Sequence, residues 1–336
     1  MKILFDHPDP FLLAHGGFQI QIEQTKVGLE SAGVQVEYLR WWDDRQHGDI
    51  IHYFGRPSSS YIQFAHGKKI KVVIEQLLTG LGSRSGSELA LQKWIIGGAK
   101  AFLPQMVTAR FGWDSFQLAD ACIANTSWEA QLMVKILQAA PGNVHVLPNG
   151  VEPIFLNGVP EERGRWLVCT ATITARKRIL ELAQAAIEAR VPLWVIGKAY
   201  SETDQYAHRF LELARAQPEF IRYEGPISER EKLAKIYRQA RGFVLLSTME
   251  TRSLSAEEAA ACGCPLLLSN LPWAKSVFKA NATYCPISKS TGEAGIILKR
   301  FYEEAPRLPI PPKPANWNEV GLQLKSIYEK LLKTSR

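Results

Sequence analysis

The sequence predicts an α/β protein made of two doubly wound parallel sheets. Two observations carry that prediction: short apolar runs alternate with amphipathic stretches in both halves, and a polar stretch at 157–165 separates the halves. The length of 336 residues agrees, because a domain of roughly 100–200 residues buries its own core. The expected division is 1–156 and 157–316, with an amphipathic terminal helix over about 317–334 packing back on the first domain.

In the first half, residues 2–5 form an apolar run ending in Asp6, His7 and Pro8, as a buried parallel strand does at its C-terminal end. Gly16 and Gly17 precede a stretch of helical spacing over 18–32, which Gly33 closes. Strands are predicted at 34–39, 49–54, 70–74 and 119–124. Asn125, Thr126, Ser127 and Glu129 then signal a helix over 128–137. A further strand at 144–147 runs into the turn Pro148-Asn149-Gly150. The second half repeats the alternation: strands at 166–170, 193–196, 221–224, 242–246 and 265–268, and helices at 179–189, 202–216, 229–240 and 255–261. Parallel sheets of this kind bind ligands at the carboxyl ends of their strands, so two of them are expected to face a cleft.

Composition excludes several classes. With 46% hydrophobic and 22% charged residues, the chain is neither disordered nor fibrous. It contains no apolar run of about 18 residues of the kind that spans a bilayer. Asp6, Pro8, Asp9 and Pro10 stand where a signal peptide needs unbroken apolar sequence, so a cytoplasmic location is expected. The five cysteines are scattered and read as buried reduced thiols, and Cys262 with Cys264 lacks the paired spacing of a zinc site. The net charge is +7, and residues 1–150 contribute none of it. A basic second half suits an anionic ligand such as a nucleotide, or is simply a solvated basic surface. No basic run with interleaved aromatics suggests nucleic acid. No Gly-x-Gly-x-x-Gly follows the first strand, which argues against a dinucleotide oxidoreductase.

Residues 242–265 are the most informative. An apolar strand ends in Glu250, a short polar loop follows, and a helix of small residues begins near Ser255. The free N–H groups of that helix start favour an anion, and a carboxylate beside them can accept two hydrogen bonds from vicinal hydroxyls. Glu250 and Glu258 are separated by seven residues and are followed by Ala259-Ala260-Ala261-Cys262-Gly263-Cys264-Pro265. This pattern resembles the family 4 retaining glycosyltransferases of the GT-B fold. Further matches run in the family's order: Gly16-Gly17, the segment Val146-Leu147-Pro148-Asn149-Gly150-Val151, Val195-Ile196-Gly197, Tyr223-Glu224-Gly225-Pro226-Ile227, and the aromatic residues Trp317 and Tyr328.

The resemblance implies a GT-B fold of two Rossmann-like domains and transfer of a sugar from a nucleoside-diphosphate sugar to a hydroxyl of a glycan, lipid-linked or small-molecule acceptor. It implies retention, no metal or other cofactor, and a place in cell-surface polysaccharide or glycoconjugate synthesis. By the same resemblance Glu250 contacts the transferred sugar, Glu258 the ribose, and Ile227 the base. Backbone N–H groups of Arg252, Ser253, Leu254 and Ser255 meet the diphosphate, as does the basic pair Arg176-Lys177, which judged alone is equally a solvated turn. Gly16, Gly17 and Gly197 allow close approach of the donor. The sequence differs from the family pattern at Thr172, Thr251 and Ser253, and carries Glu75 and Gln76 where a His is common. Glu75, Gln76 and His15 are therefore the candidate sugar contacts of the first domain. The alternatives are a GT-B protein that binds nucleotide sugars without turnover and a GT-B sugar-nucleotide epimerase. From His66 to Arg110 there are seven Lys and Arg against Glu75 and Glu88, in a stretch also rich in Trp, Ile and Phe. That stretch reads as an ordinary helix or as a peripheral contact with the inner face of a membrane.

Overall fold

Apolar runs bounded by Asp, Gly and Pro become short parallel strands in the computed structural model, which describes residues 1–11, 16–104, 111–159, 161–201, 203–287 and 290–333. The chain divides into two units, Met1–Gly150 with Trp317–Arg336, and Val151–Asn316.

The first unit holds β1 (Lys2–Asp6), β2 (Gln35–Tyr38), β3 (Ile50–Phe54), β4 (Lys71–Glu75), β5 (Ala121–Ala124) and β6 (Val144–Val146). They form one sheet in the order β2-β1-β3-β4-β5-β6, every pair parallel. The central strands β3, β4 and β5 are almost wholly buried because helices cover both faces, which is why their sequences are near-continuous apolar runs. The helix Gly17–Ser31 ends in a Schellman turn: Gly33 takes φ 78°, its N–H donates to Glu30 O, and Val34 N–H donates to Leu29 O. Thr126 caps the helix Ser127–Lys135 by accepting from Glu129 N at 3.1 Å, while Glu129 accepts from Asn125 N at 2.9 Å.

The terminal helix Trp317–Lys333 lies across Gly17–Ser31 in backbone contact. A Cβ on Gly28 would stand 2.3 Å from Trp317 O, and one on Gly321 would stand 2.2 Å from Gly28 O. Trp317, Val320, Leu324 and Tyr328 bury the apolar face that the sequence assigned to this helix.

The second unit holds β7 (Leu167–Thr170), β8 (Leu193–Ile196), β9 (Ile221–Tyr223), β10 (Gly242–Leu245), β11 (Leu266–Ser269) and β12 (Thr283–Cys285). Their order, β12-β11-β10-β7-β8-β9, reverses direction between β7 and β10. This is the strand order of the doubly wound dinucleotide-binding fold, with its switch point at that pair. The short helix Pro153–Leu156 contributes Phe155 to the core of this unit. Strand β12 and the helices Ser59–Gly67, Pro272–Phe278 and Thr291–Glu304 were not expected from the sequence.

Candidate functional site

The site of the second unit assembles at its topological switch point. The loop after β7 carries Thr174, whose side chain accepts from Lys177 N at 3.3 Å and fixes a 3-10 turn over Ala175–Lys177. Arg178 then takes φ 53° to launch the helix Ile179–Glu188. The loop after β10 runs beside it: Thr248 N–H donates to Arg176 O at 2.9 Å, and Arg176 Nη1 donates to Met249 O at 2.9 Å. These bonds bring the three expected catalytic residues together. Glu250 Oε1 accepts from Lys177 Nζ and, at 3.3 Å, from Arg176 Nη1. Glu250 is 7% exposed, so two cations hold one buried carboxylate.

The helix Leu254–Ala261 begins next to this cluster. Ser253 caps it, its hydroxyl accepting from Ala256 N at 3.3 Å. Thr251 and Ser253, the positions where the resembled family has glycines, are both buried. Of the four residues expected to turn backbone N–H groups toward a diphosphate, Ser253 is the cap and Leu254 and Ser255 open the helix. Arg252 places its side chain on Glu257, Nε donating to Oε1 at 2.8 Å. Burial raises the Glu257 carboxyl above its ordinary range, with the Arg252 charge acting the other way.

Glu258 lies on the same helix and is 5% exposed. Arg230, at the start of the helix Arg230–Gln239, donates from Nη2 to Glu258 Oε1 and from Nε to Glu152 Oε1 at 2.7 Å. Its guanidinium also sits over the Phe155 ring, 4.7 Å from the centroid. Burial pushes Glu258 up to about 7, although Arg230 pulls it back toward the charged form. Sequence reasoning missed Arg230 and Glu152. Glu229-Arg230-Glu231 reads as surface charge, and only the fold carries Arg230 to a carboxylate 28 residues away.

Gly197 closes the loop after β8. It has φ 152°, and a Cβ there would stand 1.9 Å from Ala171 O, so no other residue fits. Its N–H donates to Gly225 O at 3.2 Å, and Ile173 N–H donates to Lys198 O at 3.0 Å, which joins the loops after β7, β8 and β9. Ile227 follows that junction, partly buried against the core.

In the first unit, Gly16 (φ 140°) is the N-cap of the helix that Gly17 begins. His15 lies outside the described residues. Glu75, a candidate sugar contact, ends β4. It is 4% exposed and belongs to a buried network: it accepts from Gln21 Nε2 and, at 3.5 Å, from Asn125 Nδ2. His52 Nε2 stands 3.1 Å from its other oxygen, and His52 Nδ1 is 2.5 Å from Tyr328 Oη. The apolar run of β4 carries Glu75 into the interior, where three neighbouring elements supply polar partners. Gln76 accepts from Arg56 Nε at 2.9 Å. A cavity of about 350 Å³ lies at the C-terminal ends of β1, β2 and β3. Asp6, Asp9, Glu23, His7 and Tyr38 line it, and among the described residues no Lys or Arg does.

Burial drives the thiols of Cys122, Cys169, Cys262 and Cys264 up to about 12, so none is a ready nucleophile. Among the described residues, no three His, Cys, Asp or Glu side chains gather into a metal-sized group.

Residues 164–293 match the family described as "Glycosyl transferases group 1". This stretch holds β7 through β12 and every residue of the switch-point cluster. The chain is also similar to D-inositol 3-phosphate glycosyltransferase 1 of Catenulispora acidiphila, at 27% identity over 189 residues. That match covers 49% of this chain and 44% of the relative, less than half its length. Among solved structures, sucrose-phosphate synthase of Thermosynechococcus elongatus superposes with a TM-score of 0.67 at 16% identity, covering 99% of both chains. Anabaena Alr3699/HepE in complex with UDP-glucose gives a TM-score of 0.65 at 13% identity, again over 99% of both. The architecture is therefore that of the GT-B glycosyltransferases, and the second unit carries the sequence signature of a group 1 glycosyltransferase domain.

Proposed function

We propose that this protein is a retaining, metal-independent glycosyltransferase that moves a sugar from a nucleoside-diphosphate sugar to a hydroxyl acceptor. The observation that carries the reading is the buried Glu250 held by Arg176 and Lys177 at the switch point, beside the start of the helix Leu254–Ala261. The group 1 match over 164–293 supports it.

In this reading Glu258 takes the ribose hydroxyls and Glu250 orients the sugar. As the bond between the anomeric carbon and the phosphate oxygen lengthens, its electron pair moves onto the diphosphate. Arg176, Lys177 and the N–H groups of the helix start stabilise that charge while the sugar becomes oxocarbenium-like. The acceptor oxygen bonds to the anomeric carbon on the face the phosphate leaves, and its proton passes to the departing phosphate oxygen. The first-unit cavity, lined by carboxylates and His7, suits an acceptor rich in neutral hydroxyls. We place the reaction on the cytoplasmic side, in polysaccharide or glycoconjugate synthesis.

The test is a thermal-shift series with UDP, GDP, ADP, CDP and TDP, starting with UDP because the Anabaena structure holds UDP-glucose. A ligand at about 100 times its Kd adds roughly 2.7 kcal/mol of stability. One nucleotide should stabilise the protein and lose that effect in Glu258→Ala. Glu250→Gln should then abolish transfer and donor hydrolysis while the nucleotide still binds. No stabilisation by any of the five would overturn the reading, as would full activity in Glu250→Gln.

A further inference from the structure

Beside the cavity of the first unit the chain sets two tryptophans in the open. Strand β2 is the outer strand of its sheet, and Tyr38 and Leu39 at its C-terminal end line the cavity. Leu39 N–H donates to Phe5 O at 2.8 Å, so this wall continues the strand ladder. The turn that follows carries Trp41 and Trp42, which are 86% and 68% exposed. Their ring centroids are 5.6 Å apart and their planes are perpendicular. The turn is braced from within. Asp43 N–H donates to Arg40 O at 3.0 Å, and Arg40 N–H donates to Gln46 Oε1 at 2.8 Å. Gln46 Nε2 donates to Tyr38 O and to Glu37 Oε2, both at 3.0 Å, and the Arg40 guanidinium bridges Asp43 and Glu37. Rings this exposed add little to the core, and a braced turn removes part of the ordering cost that a ligand would otherwise meet.

The neighbourhood selects the ligand. Across residues 37–49, Glu37, Asp43, Asp44 and Asp49 stand against Arg40 and Arg45, and the cavity adds Asp6, Asp9 and Glu23. A surface of that sign repels phosphate, nucleic acid and anionic lipid. Its carboxylates accept from hydroxyls, and Tyr61 Oη orients Asp6 by donating to Oδ2 at 2.5 Å. A cavity of about 350 Å³ is at the lower end of ligand pockets, which span roughly 300–1,000 Å³, so a longer ligand runs out over the rim. A neutral sugar chain meets each of these features: its hydroxyls donate to carboxylates, and the C–H face of a pyranose ring packs on the negative face of an indole. We propose that Trp41 and Trp42 form an outer subsite of the acceptor cavity, and that the acceptor is a neutral oligosaccharide or polysaccharide rather than a single sugar or an anionic glycan. The transfer rests on the glycosyltransferase reading above; the binding of the chain does not.

The test is equilibrium binding of the full chain, without donor, to immobilised glucan, mannan and galactan oligosaccharides from single sugars to long chains, with hyaluronan fragments as the anionic comparison. At least one neutral chain should bind, its affinity rising with length, while its single sugar and the hyaluronan fragments bind about tenfold more weakly or worse. Trp41→Ala with Trp42→Ala should lower affinity for the chain about tenfold or more and leave Tm and nucleotide binding unchanged, since both rings are exposed. Absence of binding to every neutral chain, unchanged binding in the double variant, or equal binding of the chain and its single sugar would overturn the proposal. So would a preference for hyaluronan, or a wild-type dimer that the double variant makes monomeric, which would assign the rings to a second copy of the chain. Nucleotide stabilisation measured on the same preparations keeps the two readings apart. A protein that binds a nucleotide but no sugar chain refutes the subsite alone, and one that binds a sugar chain but no nucleotide refutes the transfer reading alone.

Discussion

Glu258 is the residue whose environment has the clearest chemical consequence. Burial sets its carboxyl near 7, and Arg230, itself anchored by Glu152, keeps it from rising further. Ribose hydroxyls need the charged form, so nucleotide affinity should fall as pH drops through about 7. Calorimetric titration across the neutral range should show that slope in the wild type and a flat profile in Glu258→Gln. Arg230→Met should move the midpoint to higher pH, an effect that a merely structural Arg230 would not produce. Stability follows the opposite course. The folded group titrates above its ordinary 4.5, so its contribution is fully present below 4.5 and is lost as pH rises through about 7. Melts of the wild type against Glu258→Gln should diverge in that window, the wild type losing ground as pH rises. A wild-type titration indifferent to pH would mean that the carboxylate does not meet the ribose. The motif made Glu250 and Glu258 legible in the sequence. Arg230 and Glu152 were not, because their proximity to Glu258 is created by the return of two distant segments. The surroundings of Glu75 were not legible for a related reason: Gln21 and His52 reach it from separate elements of the first unit.

At the scale of elements, the periodic signals were reliable and the short ones were not. Residues 193–196 form the expected strand with those bounds, the terminal helix Trp317–Lys333 lies where 317–334 was expected, and the other expected strands agree within a residue or two at each end. Strand β12 has three residues, too few to show a period, and the helix Thr291–Glu304 contains Gly292 and Gly295, which weaken a helical signal. Gly295 sits where its Cβ would stand 3.2 Å from Ala185 O, so the glycine serves close helix packing. Gly197 makes a sharper case, because its φ and the Ala171 carbonyl both exclude a side chain. Gly197→Ala should lower stability by about 1–3 kcal/mol, read as a fall in the denaturant midpoint. Nucleotide affinity should fall with it, because the same junction positions the loops after β7 and β9. Unchanged affinity in a folded Gly197→Ala protein would show that these loops do not carry the donor.

For the whole molecule, the chain's return to its first unit is the decisive long-range event. The terminal helix reaches back across the sequence to cross Gly28 at Gly321 and to bring Tyr328 onto His52. Gly321→Ala should cost about 1–3 kcal/mol through overpacking against backbone, measurable by chemical denaturation. An unaffected protein would mean that the crossing is loose. The alternation of strands and helices made both parallel sheets legible, whereas the strand orders were not, since periodicity does not say which strands pair. It is the order of the second sheet that puts the loops after β7 and β10 side by side, and hence Lys177 and Arg176 on Glu250. The account's central claim is that this pair of cations receives the donor's diphosphate. The most direct measurement is the affinity of the stabilising nucleoside diphosphate, compared with that of its parent nucleoside, in the wild type and in Arg176→Ala with Lys177→Ala. The account predicts a loss of roughly 2–4 kcal/mol for the diphosphate, in line with removing charged donors from a preorganised site, and no change for the nucleoside. Equal losses for both ligands, or diphosphate binding that survives the double substitution, would contradict it.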